Sequence, residues 1–294
     1  MTNIHFIVNP IAGKGSHNLN RDFLSGYFPE EAYRVVLKHS RFKRHAIALA
    51  EESIKEGADI IVACGGDGTI HEIASCLVNS PVHLGIIPIG SGNGLASSLH
   101  IPKDIRNAIG ILKGNNATTI DVGQVNGSYF FSNMGIGFDA AVIHNFEQNG
   151  KRRFGAYLKA AVRAFFNYHV LRDITLEVDG ERRDISPFMF FISNSKIMGY
   201  NLSLTKDASL RDGLLDIVLI EDMSRFKLLW LGVLILLRRH WPMKGLIYKQ
   251  VHELKLTFKN KNETVLAQQD GESLQMREGE FRINVLPNAI SVML

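Results

Sequence analysis

Asp59-Ile60-Ile61-Val62-Ala63-Cys64-Gly65-Gly66-Asp67-Gly68-Thr69-Ile70-His71 decides the fold. A short apolar run bounded by a glycine cluster reads as a buried strand running into a sharp turn. The spacing predicts a helix directly after it, from Thr69 to about Val78. The first N–H groups of a helix have no intrahelical partner and sit at the positive end of its dipole, so such a turn seats an anion. Asp67 is out of place in a loop that only grips anions. A carboxylate beside phosphates goes with a bridging divalent cation. The stretch therefore reads as a nucleotide-phosphate and metal site, against the plainer alternative of a strand–turn–helix corner.

Strand and helix patterns alternate around it. Strands are expected at His5–Val8, Arg34–Leu37, Asp59–Ala63 and Leu84–Ile87, with helices near Leu19–Phe28, Lys43–Glu56, Ile70–Val78 and Asp104–Leu112. Runs apolar on both faces, separated by helices, argue for a parallel sheet covered by helices. The pattern changes after Ile120. Val125-Asn126-Gly127-Ser128 is a hairpin signature, repeated at Asp179-Gly180, Asp270-Gly271 and Glu278-Gly279. Strands are expected there at Ile174–Val178, Phe188–Ser193, Leu215–Ile220, Glu253–Phe258, Thr264–Gln268 and Phe281–Val285, with helices at Phe154–Val170 and Phe226–Leu237. The expected architecture is an α/β nucleotide-binding domain over residues 1–125 and a mostly antiparallel β domain over 126–294.

With 294 residues, 46% hydrophobic and 21% charged, the chain is an ordinary globular protein long enough for two domains. A net charge of +4 is too slight for a nucleic-acid signature, so no nucleic-acid partner is expected. Basic residues cluster at Arg41–Arg44, Lys151–Arg153 and Arg238-Arg239, which reads as solvated faces or as a fit to an anionic substrate or membrane. Cys64 and Cys76 form no disulfide framework, and the N-terminus lacks the pattern of a signal peptide; a cytoplasmic protein is expected. The apolar run Leu228–Leu237 is half the length of a membrane span. It reads as a core helix or, flanked by Lys227, Arg238, Arg239 and Trp241, as one whose apolar face touches lipid.

Three early strands end in glycine-rich turns: Asn9-Pro10-Ile11-Ala12-Gly13-Lys14-Gly15, Gly65-Gly66-Asp67-Gly68-Thr69 and Gly90-Ser91-Gly92-Asn93-Gly94. In a parallel sheet all three lie at the carboxyl edge, where open α/β folds bind ligands. A P-loop is excluded, because Gly13-Lys14-Gly15 lacks the upstream glycine and the Ser/Thr after Lys14; no GxGxxG follows the first strand. Far downstream, Gln268-Gln269-Asp270-Gly271-Glu272 is a β-turn whose two carboxylates could supply a base and a metal or hydrogen-bond partner.

Taken in order, NPxAGxG, GGDGT, GSGN, Gly137-Phe138-Asp139, Asp212-Gly213-Leu214-Leu215-Asp216 and the late Asp-Gly-Glu resemble the diacylglycerol kinase and sphingosine kinase superfamily, in its compact prokaryotic form. The resemblance covers essentially the whole chain. It implies a C-terminal β-sandwich, an active site between the domains, ATP and Mg²⁺ as cofactors, and a lipid substrate met at a membrane surface by a protein with no transmembrane segment. A homodimer is compatible with it. By the same resemblance, Asn9, Pro10, Gly13, Lys14, Gly65 to His71 (Gly66, Asp67, Gly68, Thr69 and Ile70 between them), Gly90 and Asn93 hold the nucleotide, with Ser40 and Ser91 as further contacts. Asp67 and Asp121 organise Mg²⁺ through water. Asp270 and Glu272 match the catalytic turn, with Glu272 the usual proton acceptor, and Ser209, Asp212 and Leu214 match a second, structural cation site. One departure is clear: Gly94 stands where bacterial diacylglycerol kinases carry an acidic residue. Acyl chains would lie against Phe188, Phe190, Phe191 and the 228–237 segment, residues that otherwise read as core. The competing readings are an NAD kinase-like enzyme, which shares GGDGT, and a catalytically silent regulator that binds nucleotide or lipid.

Overall fold

The computed structural model describes residues 1–13, 19–114, 116–148, 154–168, 170–197, 203–205, 207–237, 243–260, 264–277 and 279–294. Lys14 and Gly15, the basic cluster 151–153, and Arg238, Arg239, Trp241 and Glu278 lie outside them. The chain divides into two compact units, residues 1–122 with 287–294, and residues 123–286. The single boundary expected at residue 125 lies near the first crossing and does not anticipate the second.

In the first unit, β1 (Thr2–Val8), α1 (Arg21–Ser25), β2 (Tyr33–His39), α2 (His45–Lys55), β3 (Ile60–Gly65), α3 (Asp67–Leu77) and β4 (His83–Pro88) alternate as predicted. The strands pair in parallel in the order β2-β1-β3-β4. β3 is buried at every residue, which is why its sequence shows no alternation. α4 (Gly94–Ser98), which the sequence reading missed, and α5 (Ile105–Lys113) follow, then β5 (Ala117–Val125), which begins before the expected change of pattern.

In the second unit Asn126 (φ 45°) and Gly127 (φ 87°) turn β5 into β6 (Ser128–Phe130), the geometry that Asn-Gly favours. Then come β7 (Asn133–Gly137), α6 (Phe138–Gln148), α7 (Phe154–Asn167), β8 (Ile174–Val178), β9 (Glu181–Ile185), β10 (Pro187–Ser193), β11 (Leu215–Glu221), α8 (Arg225–Leu236), β12 (Leu246–Val251), β13 (Glu253–Phe258), β14 (Val265–Gln269), β15 (Glu272–Met276) and β16 (Glu280–Met293). Helix α6 is not among the predicted elements; in the sequence only its Gly-Phe-Asp motif stands out. β12-β11-β10-β7-β14-β15 form an antiparallel sheet, and the first part of β16 continues into β13-β8-β9. Phe130, Ile136, Phe190, Ile192, Leu256 and Phe281 meet in one core, which makes this unit a sandwich. Phe190 and Phe191 are fully buried and Phe188 nearly so, as core residues. α8 buries Leu228 and Leu231 against Phe191 and Val218 of the outer sheet face. Among the described residues no helix is long and apolar enough to cross a membrane.

The far end of β16 returns to the first unit. Val292 pairs in parallel with Leu84, and Asn288 N–H donates to Asp121 Oδ1 at 2.8 Å.

Candidate active site

The order β2-β1-β3-β4 reverses direction between β1 and β3, and ligands of open α/β sheets bind at the carboxyl ends beside such a switch point. The three glycine-rich turns meet at that edge. Ile89 N–H and Gly90 N–H both donate to Gly65 O, at 2.8 and 3.3 Å. A Cβ on Gly90 would lie 2.4 Å from Gly66 Cα, and one on Gly13 (φ 64°) would lie 2.4 Å from Ile89 O. These glycines are required because backbone meets backbone. Asn9 joins the first turn to the second: its Nδ2 donates to Thr69 Oγ1 at 3.1 Å, while its own N–H donates to Cys64 O. Ser40 lies buried beside them, its N–H donating to Val8 O. Pro10 and Ser91 are exposed, and Gly68 and His71 are half-buried. The Ile70 side chain is in the core and its N–H donates to Gly66 O.

Asp67 opens α3 and reaches across to the third turn, accepting from Asn93 N–H (2.8 Å, Oδ2) and Gly94 N–H (2.7 Å, Oδ1). It thereby clamps two turns together at the start of α4. The N-terminus of α3 has no side-chain cap, whereas Asn20 caps α1 and Asp104 caps α5 with their side chains. Asn93 adopts φ 55°, and its Oδ1 is buried without a partner. An uncapped helix start and a backbone cradle closed to any Cβ are features that suit a bound phosphate group, whereas the orphaned Asn93 Oδ1, an acceptor, calls for a donor or a cation. Asp121 is buried, and the structure uses it to hold Asn288. Among the described residues no three His, Cys, Asp or Glu side chains gather into a ready metal site. A cation here would depend on Asp67, Asp121, water and the phosphates themselves.

In the second unit Asp270 (φ 48°) and Gly271 (φ 82°) form the β14–β15 turn. The Asp270 carboxylate accepts from the N–H groups of Phe131 (2.8 Å), Ser132 (2.7 Å) and Asn133 (3.1 Å). Such a carboxylate anchors the turn. Glu272, the first residue of β15, is half-buried. The residues that sequence reasoning missed lie underneath: Gln268 and Asn133, both buried, and Asp139 at the start of α6, which had been noted only as a motif residue. Burial pushes the Asp139 carboxyl up to about 7, against a hydrogen bond from Gln268 that favours its charged form. The sequence carries only their positions as a signal: Gln268 stands two residues before the Asp270-Gly271 turn, and Asp139 ends the Gly137-Phe138-Asp139 motif.

Ser209, Asp212 and Leu214 fall in a loop of local turns. Arg211 N–H donates to Ser209 Oγ (3.2 Å) and Leu214 N–H to Asp212 Oδ1 (3.1 Å), with Gly213 at φ 71°.

Comparison with known proteins matches residues 3–125 to the diacylglycerol kinase catalytic domain and 132–294 to the YegS C-terminal NAD kinase beta sandwich-like domain. The chain is 27% identical to the diacylglycerol kinase of Bacillus subtilis (strain 168), over 96% of this chain and 93% of that protein. It is 30% identical to "Probable lipid kinase YegS-like" of Yersinia pestis (strain Pestoides F), over 89% and 86%. A solved diacylglycerol kinase from Bacillus anthracis str. Sterne superposes with a TM-score of 0.73 at 19% identity, over 99% of this chain and 96% of that one. Yeast NADH kinase does so with 0.54 at 10% identity, over 99% and 82%, a likeness of fold alone.

Proposed function

We propose that this chain, which belongs to the diacylglycerol kinase and YegS-type family of lipid kinases, transfers the γ-phosphoryl group of ATP to a hydroxyl of diacylglycerol, a sphingoid base or a related lipid. The observation that carries the reading is the meeting of three glycine turns at the uncapped start of α3, clamped by Asp67. Phosphoryl transfer asks a protein for alignment and charge neutralisation rather than covalent chemistry. The turns containing Asn9, Gly13, Gly66 and Gly90 would hold the phosphates through backbone groups; Lys14, which the resemblance adds to this set, lies outside the described residues. Mg²⁺, when bound near Asp67 and Asp121, supplies neutralisation of phosphate charge. With Asp270 held by three backbone N–H groups, Glu272 is the better candidate to accept the hydroxyl proton. Ser209, Asp212 and Leu214 would hold a structural cation.

Two helix faces support substrate uptake from a membrane surface. α8 exposes Phe226, Leu229, Trp230 and Val233 on one side, and α7 exposes Val162 and Phe166. Arg225 ties the helices together, its guanidinium bonded to Phe165 O and lying 5.4 Å from the Phe165 ring centre.

The test follows labelled ATP γ-phosphate with Mg²⁺ into diacylglycerol, sphingoid bases and ceramide in mixed micelles, with NAD as a separate acceptor. Label in a lipid supports the proposal and selects the acceptor. Label in NAD alone overturns it, and ATP binding without transfer to any acceptor leaves a silent regulator. In an active protein, Glu272→Gln is expected to lower kcat by about 10²-fold with the ATP KM nearly unchanged, as for loss of a general base. A rise in KM alone would reassign Glu272 to binding.

A further inference from the structure

Beneath the β14–β15 turn lies a closed hydrogen-bond chain that the proposed chemistry does not use. Gln268, buried and paired across the sheet with Gly135, donates Nε2 to Asn133 Oδ1 (2.9 Å) and to Asp139 Oδ2 (3.1 Å). Its Oε1 accepts from Gly271 N–H at 3.0 Å. Gly271 N–H can only donate, so the Gln268 amide has one useful orientation, and the two acceptors opposite enforce it. Asn133 is also tied to Asp270 twice: its N–H donates to Asp270 Oδ1 and its carbonyl accepts from Asp270 N–H.

The seat of Asp139 is built for it. A Cβ on Gly135 would lie 1.9 Å from Asp139 Oδ2, so the carboxyl rests directly on the β7 backbone. Gly137 (φ 96°), where a Cβ would lie 2.7 Å from Phe188 O, makes the sharp turn that brings Asp139 back over the strand. Asp139 Oδ1 is buried with no partner. A buried, half-satisfied carboxyl is costly, and the neutral acid that burial favours reduces that cost. From α6, the helix that Asp139 opens, Glu147 accepts from Ser273 N–H at 3.1 Å and His144 Nδ1 meets Ser273 Oγ at 3.2 Å, one residue beyond Glu272.

We propose that Asp139 is a positioning residue which, through the Gln268 amide, locks the Asp270–Gly271 peptide and so fixes where Glu272 leaves the turn. This inference rests on the kinase reading for its effect on turnover, but not for its effect on the turn. A free peptide there could flip, as turn peptides do between related turn types, and β15 would then start from a different direction. Once Asp139 is lost, the Gln268 amide lacks one of its two acceptors and the Gly271 bond loosens.

The experiment uses the full chain and three variants, Asp139→Ala, Asp139→Asn and Gln268→Met. Two quantities are read: exchange of the Gly271 amide by NMR on glycine-labelled protein, and kcat against the ATP KM. Asp139→Ala is expected to speed Gly271 exchange and to lower kcat, each by about tenfold, with the ATP KM unchanged. Asp139→Asn keeps an acceptor oxygen for Gln268 and recovers most of both. If Asp139→Ala fails to fold, Gln268→Met, similar in length and without either hydrogen-bonding function, must show the same two losses. Gly271 exchange at the wild-type rate in the folded variant overturns the proposal, as does faster exchange with kcat intact. A wild-type protein that transfers no phosphate sinks the kinase reading instead, and exchange alone then decides the role of Asp139.

Discussion

Asp67 shows how one side chain can serve structure and chemistry together. Its two oxygens hold Asn93 and Gly94, so Asp67→Ala removes a proposed Mg²⁺ partner and also leaves two backbone donors of a half-buried turn without their acceptor. Loss of phosphoryl transfer is expected together with about 1–3 kcal/mol of stability, read from urea melts. Near-normal turnover would remove the metal assignment, and an unchanged melt would remove the clamp. Asp139 makes a different prediction. Its folded-state pKa, about 7, lies above the ordinary Asp value of 3.8, so the native state holds the proton more tightly than the unfolded chain does. The stability this contributes is fully present below about pH 3.8 and is lost as pH rises through 7. Between those limits, thermal melts of the wild type should fall relative to Asp139→Asn as pH increases. Parallel curves would place the carboxyl in a more polar setting.

At the scale of elements, β1 to β4 were legible because each is a short apolar run with glycine beyond it, and parallel burial leaves no other pattern to confuse. The turns at Asn126, Asp179 and Asp270 were legible for a local reason, since Asn-Gly and Asp-Gly tolerate positive φ at both positions. α4 was missed because five residues carry no period, and α6 because its apolar residues are distributed over facing neighbours rather than a single stripe. The phosphate turns of the candidate site were therefore readable, while the Asp139–Gln268–Asn133 chain was not: it is assembled from residues distant in sequence. The run at 228–237 held two readings: α8 packs part of it as core and leaves an apolar face that the lipid reading would use. Leu228 and Leu231 are core, while Trp230 is 58% and Phe226 86% exposed. Burying such a side chain in lipid contributes roughly 1.5–3 kcal/mol. The double variant Phe226→Ser, Trp230→Ser should thus bind anionic phosphatidylglycerol vesicles at least about tenfold more weakly, with unchanged melting. Equal vesicle binding would make this face irrelevant to membranes.

At the scale of the molecule, the chain crosses between its units twice, after Val122 and before Pro287. Asp121 stands at the first crossing and holds the second through Asn288. Around it, Thr119 Oγ1 donates to Asn288 Oδ1 (2.7 Å), His83 Nδ1 meets Ser291 Oγ (2.7 Å), and Leu294 N–H donates to Asn116 O (2.9 Å). Asp121→Ala should cost about 1–3 kcal/mol through the unpaired Asn288 N–H, and Asp121→Asn, which keeps an acceptor, much less. If both variants melt like wild type but lose Mg²⁺-dependent transfer equally, Asp121 serves the metal and not the strand.

The returning strand also sets an order of assembly. A ribosome delivers residues 1–122 long before residues 287–294, and everything between them must emerge first. Until then the β4 edge of the nascent nucleotide unit lacks its neighbour, and Asp121 has no Asn288 to hold. The unit begun first is thus the last to be finished, so the sandwich can mature while its companion waits. A gene fragment cut after residue 122 would encode a domain with an open seam along β4.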